Sequence, residues 1–437
     1  MKILRSFTAA LFLELRSAFR SGAFSASLAL MAAAVAFLPY FLRSDGTGAG
    51  LVSLYVRVVF GAVFLVAGTA AFSLAAGSYA PARSTNRLSL DLASPLPPAL
   101  GYLAKCLSIS AFACALSFAG GLMAFGRLAL DKSINPDGTL PRCVRAIAPS
   151  FGRTVREEAE ASYEEMVSRR PESEAEAKKQ KRFAENPRYL VIWALENKVR
   201  NSPEPVRSGG EYRVKFPLPE GAGPCSVRVR CPLLAGIRST FGGEFTFGGE
   251  KSAVSSVPST EVEIPFSHPA PDGKGEAEFV FSNNTGRMVF LRPRRDLTLL
   301  VPHGGFFANF LMAVLAWTGI VSVFSAIAAA MSSALSKPVA VFGSVALLLA
   351  LLVAPVSSAQ IPDPAEMSFI DIASLCVTHW LAVAIEPVAS VSPAGSLAEN
   401  TAIEASVLAR LLLGGCLILP ALLSPLAAVA ARAKPQD

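Results

Sequence analysis

Two long apolar regions with a charged stretch between them constrain this chain more than any motif does. Residues 1–128 and 304–432 are strongly apolar, while residues 129–303 carry most of the charge. Over the 437 residues, 52% are hydrophobic and only 17% charged. The flanks contain apolar runs of about 20 residues or more, the length that crosses about 30 Å of hydrocarbon. A segment in lipid must be helical, because lipid offers no partner to a backbone amide. The pattern predicts six spans, at about 23–42, 51–79, 103–126, 305–335, 337–357 and 404–431. The fourth and fifth are separated only by Leu335-Ser336-Lys337-Pro338, where proline opens a new helix. The fold class expected is a polytopic α-helical membrane protein. A large extracytoplasmic α+β domain, mainly β-sandwich, is inserted between helices three and four.

Lysine and arginine in the short loops set the orientation. One side carries Lys2, Arg5, Arg16 and Arg20, then Arg83, Arg87 and Lys105, then Lys337, and finally Arg432 and Lys434. The other side has Arg43 in its first loop. Its last loop, 359–402, holds Asp363, Glu366, Asp371, Glu386 and Glu399 with no Lys or Arg. Both termini are expected in the cytoplasm, and residues 129–303 outside the cytoplasmic (inner) membrane. Leu4, Phe7, Leu11 and Leu15 share one helical face, with the basic residues mostly elsewhere. No small-residue cleavage site follows, so residues 1–22 read as an interfacial helix on the inner leaflet rather than a signal peptide. The domains expected are this helix, spans one to three within 23–128, the outer domain 129–303, and spans four to six within 304–437 with an outer helical loop at 359–402.

The charged middle is large enough to bury its own core, and it has two textures. Residues 154–200 are predicted helical, dense in Glu, Lys, Arg and Ala, broken at Pro171 and reset at Asn186-Pro187. From 209 the period changes to two. Tyr212, Val214 and Phe216 alternate with polar residues, as do Val227, Val229 and Cys231, then Val262, Ile264 and Phe266, then Phe279 and Phe281, and the pattern recurs in the Leu297–Val301 run. Gly and Pro clusters separate these runs, which predicts a β-sandwich of about six to eight short strands over 209–302. A structural or docking role suits such a module, and no carbohydrate or peptide signature accompanies it.

Catalytic patterns are missing from the sequence. There is no G-x-x-x-x-G-K-[ST] phosphate loop, and Gly248-Gly249-Glu250-Lys251-Ser252 sits among strands as a turn. No H-E-x-x-H occurs, and the three histidines are His268, His303 and His379, none in a span. No catalytic residue, cofactor or metal is expected. Cys106, Cys114 and Cys416 lie in spans as small packing residues. Cys225 and Cys231 are about 20 Å apart on extended chain and pair only through a tight bend. Cys376 and His379 share a helical face at i, i+3, more often two ordinary residues than soft metal ligands.

Arg57, Arg127 and Arg410 fall near the outer ends of their spans, where long side chains reach water. Arg410 is the deepest, with Glu404 six residues before it, so this pair is the candidate for an intramembrane polar contact or gate. Gly68, Gly77, Gly120, Gly121, Gly414 and Gly415 offer small faces for close helix packing.

Residues 81–105 form a short amphipathic insert, basic at both ends, between two apolar spans. A chain that leaves the membrane, lays a short helix on its surface and returns is arranged to be pushed from outside the bilayer. Leu88-Ser89-Leu90-Asp91-Leu92-Ala93-Ser94-Pro95-Leu96, leading to Lys105, resembles the coupling loop of type-2 ATP-binding-cassette exporter permeases. The likeness is to the branch named for multi-copper-enzyme maturation and gliding. The interfacial helix Leu4–Arg20, the outer helical region Met367–Glu386, and the stretches Phe306–Phe310 and Leu335–Phe342 are similar to the same family. The resemblance covers the membrane portions, about three fifths of the chain. Arg83-Ser84-Thr85-Asn86-Arg87 stands where the family has an acidic residue and Gly-Thr.

This resemblance implies a non-catalytic permease subunit paired with a second permease subunit, homo- or heterodimeric, and gripped by a separate cytoplasmic ATPase. Arg87, Leu88, Leu90, Leu92, Pro95 and Lys105 would then form the ATPase-coupling set. Partners implied are that ATPase and the lipid bilayer, and no nucleic acid. The rival reading is a membrane-anchored extracytoplasmic binding or scaffold protein without transport activity, for which six spans are more than anchoring requires.

Overall fold

The computed structural model describes residues 2–43, 47–79, 96–136, 140–168, 187–219, 223–230, 241–257, 261–267, 269–270, 275–284, 288–346, 388 and 391–432. These fall into two units, Val144–His303 and the segments before and after it. In chain order, helix α1 is Lys2–Arg20 and α2 is Gly22–Phe37, continued by a 3₁₀ turn to Phe41. Helix α3 is Gly48–Gly77 and α4 is Pro98–Leu130. Strand β1 (Arg142–Ile147) precedes helices α5 (Val155–Ser168) and α6 (Arg188–Asn201). Then come β2 (Glu204–Val206), β3 (Glu211–Pro217), β4 (Cys225–Arg230), β5 (Phe241–Phe247) and β6 (Glu250–Val257). They are followed by β7 (Glu261–Phe266), β8 (Glu276–Ser282), β9 (Val289–Leu291), the single helical turn α7 (Pro293–Asp296) and β10 (Leu297–Gly305). Helices α8 (Phe306–Ala334), α9 (Lys337–Ala346), α10 (Pro393–Ala398) and α11 (Ala405–Ala430) complete the described chain.

Five helices, α2 with its 3₁₀ extension, α3, α4, α8 and α11, are long and apolar enough to cross a membrane. They match the expected first, second, third, fourth and sixth spans. Of the fifth, 337–346 is the apolar helix α9, and the rest lies outside the described residues. The protein is membrane-embedded through these helices, with a separate β-rich unit. Helix α8 is central, 67% buried over its most apolar window, against 11% for α2. Small residues permit this. A Cβ on Gly121 of α4 would collide with the Phe310 ring, and one on Gly415 of α11 would collide with the Gly319 carbonyl. Phe310 meets Phe60 edge to face with centroids 5.8 Å apart, and Phe306 stacks on Phe125 at 6.1 Å, which seals the α3–α4–α8 seam. A π turn at Val56–Phe60 inserts one residue into the α3 register. It lets Tyr55, Val59 and Phe60 bury on the same side as Val63, Phe64 and Ala67.

The second unit is a sandwich of two four-stranded sheets, β1-β10-β4-β7 and β3-β8-β5-β6, beside the ribbon β2-β9. The alternation expected from the sequence is present: Val214 and Phe216 on β3 and Phe279 and Phe281 on β8 point inward from one sheet. Val227, Val229, Ile264 and Phe266 meet them from the other. Eight of the ten described strands, β3–β10, begin within 209–302, in line with the six to eight expected there, while β1 and β2 precede that stretch. Gly248 and Gly249 have φ of 56° and 88° and close the β5–β6 hairpin, the turn read from the sequence. Helices α5 and α6 pack on each other through Ala159, Val191, Ile192 and Leu195. Pro171 and the rest of 169–186 lie outside the described residues.

Phe279 is fully buried and touches Phe216, Phe245 and Phe247 along the inner face of its own sheet. Phe279→Ala is expected to cost about 3–5 kcal/mol. Hydrogen exchange should show faster opening of β3, β5 and β8, with no change in α4 and α8.

Candidate coupling site

Lys105 gathers three elements at one end of the helical unit. It sits two turns into α4, which opens on Pro97-Pro98, proline being suited to a first helical turn. Its side chain is 13% exposed, and Nζ lies 3.6 Å from Glu14 Oε1 on α1. Nζ also donates to the Ser78 carbonyl at 3.3 Å and sits 4.3 Å from the Tyr79 ring centroid. Both of those residues stand just beyond the end of α3. From there the site continues to α8. Ser78 Oγ is 3.2 Å from Ser332 Oγ, Ser332 Oγ donates to the Ala75 carbonyl at 3.3 Å, and Tyr102 Oη donates to the Ala326 carbonyl at 2.7 Å. One ammonium thus ties the place where the chain leaves α3 to the place where α4 begins.

Arg87, Leu88, Leu90, Leu92 and Pro95 lie outside the described residues, so of the expected coupling set only Lys105 has a described environment. Sequence reasoning missed Glu14, Tyr79, Tyr102 and Ser332. A signal existed for Glu14 alone, the only acidic residue before Asp45. Phe19 of α1 is 5.7 Å from Phe112 of α4 by ring centroids, so α1 is fastened at a second point.

Glu404 and Arg410 are both exposed and are not brought together: Glu404 Oε2 accepts from Ser406 Oγ at 3.2 Å, and Arg410 Nε donates to the Ser406 carbonyl at 3.4 Å. Inside the bundle, Ser322 Oγ is 2.7 Å from Ser110 Oγ and 2.6 Å from the Thr318 carbonyl, with Cys416 Sγ 3.3 Å away. These groups satisfy one another across α4, α8 and α11. Arg57 pairs with Glu399 at 3.4 Å. Arg127 does more than reach water: it pairs with Asp131 at 3.4 Å and donates to the Val35 and Ala36 carbonyls at the end of α2. Pro39, which has no N–H, leaves the Val35 carbonyl without its helical donor. The Ser133 hydroxyl and amide, together with Arg127, hold the Asp131 carboxyl below the usual range.

In the β-rich unit a cavity of about 530 Å³ is bordered by α5, α6 and the Phe151–Arg153 loop. Arg294 crosses it, bonded to Glu158 at 2.5 Å and to the Arg153 carbonyl at 3.3 Å, with its guanidinium 4.1 Å from the Phe151 centroid. Glu204 on the rim is pushed above the usual carboxylate range by partial burial and by Glu158, with Arg294 pulling the other way. Cys225 holds a free, buried thiol that burial pushes up to about 11. Cys231, which would reach it only through a tight bend, lies outside the described residues, as do Cys376 and His379. Among the described residues no group of three metal-ligating side chains occurs.

No protein-family model matches this chain, and no match is found among the curated proteins or the solved structures. The likeness to exporter permeases therefore rests on the sequence stretches and span pattern named above.

Lys105→Met should remove the donor to the Ser78 carbonyl and destabilise the helical unit by about 1–3 kcal/mol. Glu14→Gln should cost under about 1 kcal/mol, because Glu14 is 42% exposed. Thermal unfolding of the two variants in detergent measures the difference.

Proposed function

We propose that this chain is the membrane-spanning permease subunit of an ATP-binding-cassette transporter, working in export or in force transmission across the cytoplasmic membrane. A separate cytoplasmic ATPase would drive two such subunits side by side. In this reading there are six spans, both termini are cytoplasmic, and the β-rich unit between α4 and α8 is extracytoplasmic. The observation that carries it is the Lys105 junction, with α1, the exit from α3 and the start of α4 joined beside the segment that resembles a coupling loop. A push on residues 80–97 would reach α3 through Ser78 and Tyr79, α4 through Lys105, and α8 through Ser332. The buried packing of α8 supports the same reading, since helices that merely anchor have no need of such a centre. The sequence contains no phosphate loop, so ATP would be handled by the partner.

Two experiments test this. The full chain co-expressed with its cognate cassette ATPase should copurify with it, and Leu90→Asp with Leu92→Asp should abolish copurification while the chain stays folded. Retained copurification would move the contact elsewhere, and no ATPase partner at all would return the chain to the anchored-scaffold reading. In intact cells, Ser252→Cys should react with an impermeant thiol reagent and Ser89→Cys should not. The reverse pattern would invert the topology.

A further inference from the structure

A small cavity of about 180 Å³ lies in the helical unit where α3 begins. Its wall includes Gly48, Ala49 and Ser53 of α3, Asn135 of the loop after α4, and Leu397 and Ala398 of α10. That is far more space than the roughly 10–15 Å³ one water needs. The first turn of a helix leaves its N–H groups without intrahelical acceptors. Thr47 caps α3 by accepting from Gly50 N at 3.0 Å and from Leu51 N at 3.1 Å. The N–H groups of Gly48 and Ala49 have no acceptor among the described residues. These two donors lie at the positive end of the α3 dipole. The second observation is independent of the helix: Asn135 is 4% exposed, and its side-chain Nδ2 has no hydrogen-bond partner. A buried amide donor left unmade costs about 1–3 kcal/mol. The hydroxyl of Ser53 does not satisfy it, because that hydroxyl donates to the Ala398 carbonyl at 2.9 Å. Among the described residues no carboxylate lines the cavity, and the described carboxylates Glu399 and Asp131 are paired with Arg57 and Arg127.

We propose that this cavity binds one oxyanionic group, held by the Gly48 and Ala49 amides and by the Asn135 side chain. The chemistry fits a phosphate oxygen set, whether free in solution or carried by a lipid headgroup. Because its holding groups come from α3 and from the loop after α4, the bound anion fastens these two segments to each other, beside α10. This inference stands on the cavity alone and does not depend on the transporter reading.

The test uses the full chain purified in neutral detergent and phosphate-free buffer. Its unfolding midpoint is followed against sodium phosphate, with sodium chloride at matched ionic strength as the control. A second titration uses short-chain phosphatidylglycerol, with short-chain diacylglycerol as its control. A saturable rise of a few degrees with either phosphate source, absent with its control, is expected for a ligand that binds only the folded state. A rise with phosphate alone identifies the soluble anion, and a rise with the lipid alone identifies the headgroup. Asn135→Asp replaces the donor by a like charge and should abolish the rise. Gly48→Pro removes one N–H at a position where proline suits the first helical turn and where Thr47 is already extended at ψ 142°. It should weaken the apparent affinity about tenfold with little loss of basal stability. No rise with either source, or an unchanged rise in both variants, overturns the proposal.

Discussion

The helical unit depends on α8 lying against α3, α4 and α11 at once. Lipid tails are as apolar as leucine, so burial of apolar surface does not drive helices together in a bilayer. Close packing and interhelical hydrogen bonds do. The sequence meets this demand with residues that have almost no side chain at the crossings. Gly121 admits the Phe310 ring, and Gly319 and Gly415 bring α8 and α11 nearly into backbone contact. Once the backbones are that close, short hydroxyls can span the gap, which is why Ser110, Thr318 and Ser322 are tolerated in the interior. Larger residues at the crossings would separate the helices and strand those hydroxyls at the same time.

Around that packed centre, charge appears where the chain leaves regular helix. Lys105 and Arg127 occupy opposite ends of α4, and each bonds backbone carbonyls that belong to another helix. The two guanidinium or ammonium groups therefore act as terminators for neighbouring helices, while α4, with 33 residues, supplies the rod that holds them apart. The β-rich unit solves its own problem in a different way, with aromatic rings from two sheets filling one core and paired charges such as Arg228 and Glu263 kept at its edge.

Most of the coarse architecture could be read from residues alone because it depends on length and period. Apolar runs of bilayer length marked α2, α3, α4, α8 and α11, and strict alternation marked β3, β4, β7 and β8. Strands β5 and β6 were missed because Gly242, Gly243, Ser255 and Ser256 break the apolar alternation, and β1 because it stands apart from the other strands in sequence. The partners of Lys105 and Arg127 were beyond reach for another reason. Each contact joins positions 27 to 92 residues apart, and no local pattern records which carbonyl a long cationic side chain will find. Glu404 and Arg410 looked like partners by spacing, yet Ser406 stands between them, donating its hydroxyl to Glu404 and accepting from Arg410 at its carbonyl.

Arg127 has a mechanical consequence. Helix α2 is the least buried of the five long apolar helices, and its final carbonyls are bonded to a cation fixed on α4. Sliding α2 by one residue along its axis, about 1.5 Å, would pull both carbonyls away from that cation in a medium that offers no substitute. Swinging α2 about the same point keeps both carbonyls bonded and instead disturbs Met31, seated against Gly120, and the Phe24–Phe112 ring contact. The arrangement sets the depth of α2 from one end.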